Sequence, residues 1–155
     1  MVVDYRPITE LTVVDKYPFP RIDEMLDRVG DVSYFSKLDL HSGFHQILVF
    51  PEHVERTAFR TKYGTFAYQV MSFGLCNAPG TFQKTMDYIL QNMRQFAGVY
   101  TNDILIYTNT LEDHLQALRK VYDKLRQRVS FPDQTNAPGH NQNQILWVYP
   151  WQSWY

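Results

Sequence analysis

The sequence of 155 residues contains only one cysteine, Cys76, and no long apolar run. A single thiol cannot form a disulfide within the chain or build a cysteine-based zinc site, so we expect Cys76 to pack as a small apolar side chain. No run approaches the roughly 18 apolar residues that span a bilayer, and the charged residues among the first thirty exclude a signal-peptide core. We therefore expect an intracellular protein, cytoplasmic or nuclear, with no membrane partner.

Net charge is also nearly absent, because 15 Lys and Arg residues stand against 16 Asp and Glu residues. This balance excludes a polybasic or an acidic tail, although it leaves room for a local basic groove. Residues 129–155 hold a single charge, Asp133, but all three tryptophans and seven Asn or Gln residues. We expect an organised domain over 1–128. Residues 129–155 are then either a disordered tail or an adhesive aromatic patch, with at most a short strand at Ile145–Tyr149.

Hydrophobic periodicity predicts alternating helices and short strands in the first 128 residues. The expected order is a helix after Pro20, a strand over 32–40, a hairpin around 62–64, a helix over 78–97, a second hairpin at 101–103 and a helix after Thr110. The order lacks strict βαβ alternation. It therefore favours an α+β fold in which helices cover one face of an antiparallel sheet.

Two acidic residues lie where the strand patterns require none. Asp39 ends the first strand, on the same face as Lys37, and Asp103 lies at the tip of the second hairpin. A carboxylate beside apolar strand residues is costly to bury unless it is paired or bound to a metal ion. Two such groups at strand ends suit Mg²⁺ in phosphoryl transfer. The pattern alone favours the alternative, a solvated turn aspartate and an ordinary strand-end aspartate.

Five runs in succession identify a family resemblance that covers residues 2–128. They are VVDYR, YPFPRIDEML, YFSKLDLHSGFHQI, TAFRTKYGTFAYQVMSFGLCNAPGTFQKTM and VYTNDILIYT. Together and in this order they closely resemble the reverse transcriptase of Ty3/gypsy-type LTR retrotransposons. The resemblance implies the palm fold of a polymerase, which uses two Mg²⁺ ions, a deoxynucleoside triphosphate and an RNA or DNA template–primer.

The resemblance also implies roles for individual residues. Asp39, Asn102 and Asp103 occupy the catalytic metal-binding positions, and Leu40 supplies the backbone carbonyl that follows the first aspartate. Phe44 matches the aromatic gate that excludes a ribose 2′-hydroxyl, while Phe73 and Gly74 match the wall of the nucleotide pocket. Asp4 and Arg6 match a contact to the template strand, which is blind to base sequence.

The sequence departs from the family pattern at its most important motif. Tyr-x-Asp-Asp reads Tyr100-Thr101-Asn102-Asp103, so a metal-binding aspartate is replaced by a neutral amide. Losing a unit charge at about 4 Å costs roughly 4 kcal/mol, which is about a thousandfold in rate. Parts of the fingers and thumb that hold triphosphate and primer in the family are also missing from the sequence. We therefore predict a severely impaired polymerase.

Alternative interpretations remain open at this point. The chain is an impaired enzyme, a palm retained to bind nucleic acid or a protein partner, or a decayed retroelement remnant. Palm faces without fingers and thumb would expose apolar surface and favour self-association. The spacing of His41 and His45 matches helical zinc ligands, but both fall in a turn. Phe44 and Gly74 are also consistent with an ordinary core residue and a turn glycine.

Overall fold

The computed structural model describes residues 3–30, 32–40, 42–128 and 146–150. The four α-helices are α1 (Arg6–Leu11), α2 (Ile22–Val29), α3 (Ala78–Ile89) and α4 (Leu111–Arg128). The six strands are β1 (Tyr34–Asp39), β2 (Phe59–Thr61), β3 (Gly64–Phe66), β4 (Ala97–Tyr100), β5 (Asp103–Thr108) and β6 (Leu146–Pro150). Short 3₁₀ segments cover Gly43–Gln46, Pro51–Thr57 and Gln91–Met93. The expected α+β class is confirmed.

The main sheet contains four antiparallel strands in the order β4-β5-β1-β6. β1 alternates as its sequence predicts, with Ser36 and Leu38 buried and Lys37 and Asp39 exposed. Because successive side chains of a strand point to opposite faces, this alternation sends the apolar residues toward the helices and the charged ones to the open face. The open face at the end of β1 is therefore where the acidic side chains lie.

Helices α3 and α4 form the layer that covers the buried face of the sheet. Ile104 and Ile106 of β5 are completely buried against this layer, and Val121 of α4 is completely buried as well. Thr110 caps α4 as predicted, because its hydroxyl oxygen accepts the backbone N–H of Asp113 at 3.1 Å. The helical layer thus holds β4 and β5 from behind and leaves the ends of the hairpin accessible.

Two helix predictions need correction. The expected helix over 78–97 ends at Ile89, because the chain must turn through Gln91–Met93 before β4 starts pairing with β5 at Ala97. Periodicity predicts that α4 buries an apolar stripe, and this prediction is partly wrong: Leu118 and Leu125 are buried, whereas Leu111 and Leu115 are about half exposed. The predicted stripe consists of Leu111, Leu115, Leu118, Tyr122 and Leu125. The buried face also includes His114, Ala117 and Val121, each one position before a predicted residue.

A buried polar cluster connects α4 to the sheet. The His114 side chain is 1% exposed, with Nε2 2.8 Å from the Ser36 hydroxyl and Nδ1 3.0 Å from the Thr108 hydroxyl. Burial lowers the pKa of His114 below its usual value, because the protein interior disfavours the imidazolium. Both ring nitrogens are satisfied by hydroxyls, so the cluster is a structural connection between α4, β1 and β5.

The hairpin predicted around Lys62-Tyr-Gly64 is present, but its strands are shorter than the β-rich segments 57–61 and 65–71 that the sequence favours. β2 and β3 pair over three residues each, in a separate two-stranded sheet. Residues 67–71 do not continue β3; Val70 forms an isolated bridge with Leu48. The predicted break after β1 is the 3₁₀ segment Gly43–Gln46.

The short strand that the sequence allows at Ile145–Tyr149 is present as β6, Leu146–Pro150, which pairs with β1. Residues 129–145 and 151–155 lie outside the described residues, so disorder there stays a prediction. Within the described part of the chain, no helix has both the length and the apolar character needed to cross a membrane.

Candidate active site

Asp39 and Asp103 face each other across neighbouring strands. They form the last pair in the β1–β5 register, so both carboxylates lie at one end of the sheet although the two residues are 64 positions apart in the sequence. Directly opposed side chains in an antiparallel pair have Cβ atoms about 4.5–5.5 Å apart. Two like charges at this separation repel each other unless a cation lies between them or beside them.

Lys37 supplies such a cation in this structure. Its Nζ atom lies 2.8 Å from Oδ2 of Asp103, and both side chains are partly open to solvent. Lys37 shares the exposed face of β1 with Asp39, two residues away. The lysine therefore offsets the repulsion between the two aspartates, and it competes with any metal ion for Asp103.

Asn102 lies in the two-residue turn between β4 and β5 and is attached to β1 through its backbone. The Leu40 N–H donates to the Asn102 carbonyl oxygen at 3.0 Å, and the preceding Thr101 has a left-handed φ of 51°. Oδ1 of Asn102 is buried and has no hydrogen-bond partner among the described residues. An unpartnered buried oxygen is costly, and coordination of a cation is one way in which such an atom is satisfied. Its position beside Asp103 makes it a candidate ligand atom.

Gln83 holds the turn from the helix side. It is completely buried; its Nε2 donates to the Val99 carbonyl at 3.1 Å, and its Oε1 accepts the Thr101 N–H at 2.9 Å. Nε2 also donates to Asp87 at 3.1 Å, and Asp87 accepts the Tyr17 hydroxyl at 2.8 Å. This last bond raises the pKa of the Tyr17 phenol. The hydrogen bond to Asp87 thus fixes the orientation of the Gln83 side-chain amide. The amide in turn holds the turn between β4 and β5 in place.

Gly43 allows the turn to approach the helix layer closely. A Cβ atom at this position would lie 2.8 Å from Cζ of Phe82 and 3.3 Å from Oδ1 of Asn102. No real Cβ contact is as short as 2.8 Å to a ring held in the core, so any larger residue would displace Phe82 or the turn. The glycine therefore sets the depth at which Asn102 sits.

The three residues assigned to the nucleotide pocket lie close together. Phe44 is buried, and its ring centroid lies 4.9 Å from that of Phe73, which is 49% exposed. Gly74 follows with a left-handed φ of 96°, where a side chain would be strained. The Leu40 carbonyl, a further predicted ligand, accepts the Gly43 N–H at 3.0 Å. An aromatic floor thus adjoins the carboxylate end of the sheet.

Asp4 and Arg6, the predicted template contact, bind one another. The Arg6 guanidinium donates to both carboxylate oxygens of Asp4, with Nε at 2.9 and 3.0 Å. These hydrogen bonds lower the pKa of Asp4 to about 2 and raise that of Arg6. Both side chains are exposed, so the pair is weakly held. Arg6 remains available to a phosphate that outcompetes Asp4.

The zinc hypothesis gains no support from His45, which stacks on Tyr68 with ring centroids 6.3 Å apart; His41 lies outside the described residues. Within the described ranges, no group of three or more His, Cys, Asp or Glu side chains is placed to hold a metal ion. The site instead has two carboxylates and one amide oxygen. Cys76 is a free, partly buried thiol, with Sγ 3.7 Å from Oδ1 of Asn77.

The contributions of Gln83, Gly43 and Lys37 were missed by sequence reasoning. Gln83 leaves one usable signal, a polar residue between the apolar Phe82 and Met86 of a helix. Gly43 resembles any turn glycine, and Lys37 resembles any solvated strand lysine. Their contacts depend on long-range packing, which local patterns do not contain.

The chain is similar to known sequences over most of its length. A model of the family described as "Reverse transcriptase (RNA-dependent DNA polymerase)" matches residues 1–130. The chain is 44% identical over 126 residues to the Retrovirus-related Pol polyprotein from transposon 297 of Drosophila melanogaster, covering 81% of this chain and 12% of that polyprotein. It is 40% identical over 125 residues to the RNA-directed DNA polymerase homolog of Oenothera berteroana, covering 78% of this chain and 88% of that protein. The chain therefore spans about an eighth of the first relative and most of the second.

The chain is also similar in structure to solved proteins. A foamy viral protease-reverse transcriptase in complex with double-stranded DNA matches with a TM-score of 0.77 at 26% identity, covering 83% of this chain and 23% of that chain. A foamy viral protease-reverse transcriptase in complex with an RNA/DNA hybrid matches with a TM-score of 0.72 at 25% identity, covering 82% of this chain and 17% of that one. In each case the similarity covers most of this chain and a small part of a larger protein.

Proposed function

Because the chain belongs to the reverse transcriptase (RNA-dependent DNA polymerase) family, we propose that it is the palm portion of an RNA-directed DNA polymerase with strongly weakened catalysis. The reaction is transfer of a deoxynucleotide to the 3′-hydroxyl of a primer paired with an RNA or DNA template. The single observation that carries the proposal is the cross-strand pair of Asp39 and Asp103 beside a turn tied to Leu40.

The donor atoms suit a hard divalent cation, for which we propose Mg²⁺. The carboxylates of Asp39 and Asp103 and the unpartnered Oδ1 of Asn102 would hold it, since Mg²⁺ takes oxygen ligands and leaves positions for substrate phosphates. When bound, Mg²⁺ neutralises charge on the reacting phosphate. The fit is incomplete, because one of the three side-chain oxygens belongs to a neutral amide.

The remaining residues of the site position the substrates. Phe44 and Phe73 offer a flat apolar surface on which the sugar and base of a deoxynucleotide would rest. Gly74 has no side chain to obstruct a triphosphate at this wall. Gln83 and Gly43 keep the turn at a fixed depth, which matters because misplacement by about 1 Å can cost a hundredfold in rate.

Two features weaken the chemistry. Asn102 brings no charge to the ligand set, and the Lys37 ammonium occupies one oxygen of Asp103. The ligand set thus carries two negative charges, opposed by one nearby positive charge. We infer that a divalent cation binds weakly and that transition-state charge is poorly offset.

Primer extension tests the proposal. Single-nucleotide incorporation on an RNA template with a DNA primer should be barely detectable with Mg²⁺ or Mn²⁺ for the native chain. It should rise by as much as about a thousandfold in Asn102→Asp. Adding Asp39→Asn to Asn102→Asp should remove the gain. Robust extension by the native chain would refute the proposed impairment.

A second candidate function is a binding module without catalysis, which the Lys37–Asp103 contact favours because it stabilises the metal-free site. This function predicts salt-sensitive binding to template–primer in EDTA, with a shallow slope that reports few phosphate contacts. Binding that is independent of salt would exclude it. Self-association through exposed apolar surface, such as Leu48 and Phe50, is a further proposal that light scattering would test.

A further inference from the structure

Three positively charged side chains from distant parts of the chain line one cleft at the end of the main sheet opposite the carboxylates. Arg28 comes from the last turn of α2, Arg94 from the segment between α3 and β4, and Lys120 from α4. The cleft has a volume of about 640 Å³, within the range of roughly 300–1,000 Å³ that small-molecule sites occupy. We call it the distal cleft.

The distal cleft is separate from the candidate active site. Thr108, the last residue of β5, lines the cleft, whereas Asp103, the first residue of β5, faces Asp39. At about 3.4 Å per residue in an antiparallel strand, the two ends of β5 are roughly 17 Å apart. The described residues that line the cleft include none of those assigned to metal, nucleotide or template binding. A molecule held in the cleft thus occupies a different site from one held at the carboxylates.

The distal cleft is positively charged although the whole chain is not. Its lining has three cationic side chains and one carboxylate, that of Asp113, while the chain has a formal net charge of −1. Oδ2 of Asp113 accepts the Thr110 hydroxyl at 2.6 Å, in the first turn of α4, where the helix dipole offsets negative charge. Within the described ranges, none of Arg28, Arg94 and Lys120 forms an ion pair. Three uncompensated cations on one concave surface attract a ligand with several negative charges.

Contacts beneath the cleft hold two of the cations in place. The Tyr107 side chain is buried there, and its hydroxyl donates to the Arg94 carbonyl oxygen at 3.0 Å. The Tyr107 N–H donates to the Phe96 carbonyl oxygen at 2.9 Å, which fixes the same segment to β5. Nζ of Lys120 lies 5.9 Å from the Phe96 ring centroid, a cation–π distance. The backbone of Arg94 and the ammonium of Lys120 are thus positioned before any ligand binds.

We propose that the distal cleft binds the di- or triphosphate group of a small molecule. Arg28 and Arg94 contact phosphate oxygens through paired N–H donors, and Lys120 contributes a third positive charge. The exposed amides of Gln95 and Gln116, which also line the cleft, donate further hydrogen bonds. A protein partner is disfavoured because, among the described residues, none of the large exposed apolar side chains lines the cleft.

Titration calorimetry of the native chain in EDTA tests the proposal with inorganic triphosphate, ATP and adenosine. EDTA removes divalent cations, so the candidate active site cannot hold a triphosphate through a metal ion. Triphosphate and ATP should both bind, and added salt should weaken both, because exposed charges are screened. Equal affinities would support recognition of the phosphates alone, and tighter binding of ATP would support recognition of a nucleoside polyphosphate. Adenosine binding as tightly as ATP, or no binding of either polyphosphate at millimolar concentration, would overturn the proposal.

Variants assign the binding to the cleft. Arg28→Gln, Arg94→Gln and Lys120→Gln should each weaken triphosphate binding by about tenfold or more, the loss expected for one charge-assisted hydrogen bond. Arg119→Gln is the matched control, because Arg119 is an exposed residue of α4 next to Lys120 that does not line the cleft, and it should bind as the native chain does. If the three cleft variants bind as the native chain does, or if Arg119→Gln loses as much as Lys120→Gln, the proposal is wrong. Urea midpoints of all variants check that the fold is intact.

A competition experiment separates a small polyphosphate from the backbone of a nucleic acid. A single-stranded oligonucleotide without terminal phosphates should not displace triphosphate from the native chain in EDTA. Displacement at equal phosphate concentration would show that the cleft binds a nucleic-acid backbone instead, which would also overturn the proposal. The inference does not rest on the proposed function, because the cleft and the carboxylate pair are distinct, and primer extension by the native chain and Asn102→Asp tests the proposed function alone.

Discussion

Replacing Asn102 with aspartate should make stability depend on divalent metal in a way that the native chain does not. Oδ1 of Asn102 is buried and unpartnered, so Asn102→Asp places a carboxylate where no described residue donates a hydrogen bond to it. Without metal, an unsatisfied buried group costs about 1–3 kcal/mol, and a charged one costs more. With a divalent cation, attraction over about 4 Å in a partly screened site contributes roughly 4 kcal/mol. Asn102→Asp should therefore destabilise the fold without metal and stabilise it when a divalent cation is bound.

Two measurements test this reasoning. Urea unfolding in EDTA should show Asn102→Asp to be less stable than the native chain. Titration calorimetry should show Mn²⁺ binding that is tighter by up to about a thousandfold, since each 1.4 kcal/mol is a factor of ten. At Mn²⁺ a hundredfold above the dissociation constant, the variant should gain about 2.7 kcal/mol.

Asn92→Asp provides the control, because Asn92 is an exposed asparagine in the 3₁₀ segment after α3. It gains the same formal charge far from the paired carboxylates and should show neither effect. If Asn102→Asp binds Mn²⁺ no more tightly than the native chain, Asn102 does not occupy a ligand position and the explanation of impaired catalysis is wrong.

Three further predictions concern neighbouring contacts. Lys37→Met should tighten Mn²⁺ binding by up to about tenfold in calorimetry, because it frees Asp103 from a solvent-screened ion pair; weaker binding would contradict this. Gln83→Leu leaves the buried Val99 carbonyl and the partly buried Thr101 N–H unpaired and should cost about 2–6 kcal/mol in urea unfolding, whereas a loss below 1 kcal/mol would contradict the network. The pKa of His114 is lowered in the folded chain, so below about pH 6.5 its imidazole takes up a proton in the unfolded chain but stays neutral in the folded chain. Stability should thus fall with decreasing pH, by at most about 1.4 kcal/mol per pH unit, and level off below the folded-state pKa. The exposed His53→Gln control should keep this slope.

The strands that carry the two aspartates were predictable from local sequence. Alternation over 32–40 placed Asp39 at a strand end, as the structure has it. Asp103, expected at the tip of the hairpin at 101–103, is instead the first residue of β5, because the turn contains only Thr101 and Asn102. That the two residues oppose one another was not predictable from the pattern, because register between strands distant in sequence depends on the whole sheet. Only the resemblance to a known family connected them.

Side-chain contacts around the turn could not be predicted from the sequence, for a different reason. Helix periodicity predicts which face of α3 is buried, but not that Gln83 satisfies the backbone of Val99 and Thr101. Likewise the stripe of α4 was assigned through Leu111 and Leu115, while a buried histidine occupies the core. Hydrogen bonding inside a core depends on atomic positions that propensity and hydropathy do not encode. The roles of the site residues stay predictions until the variants are measured.

The hydrogen bond from the Leu40 amide to the Asn102 carbonyl also governs how the site opens. It joins two segments that approach each other only after the central strands have paired, so the site forms late and has no local folding unit of its own. In native-state hydrogen exchange the Leu40 amide should therefore be released only by global unfolding, with the same free energy as the slowest core amides. Any fragment that separates β1 from the hairpin would lose the carboxylate pair altogether.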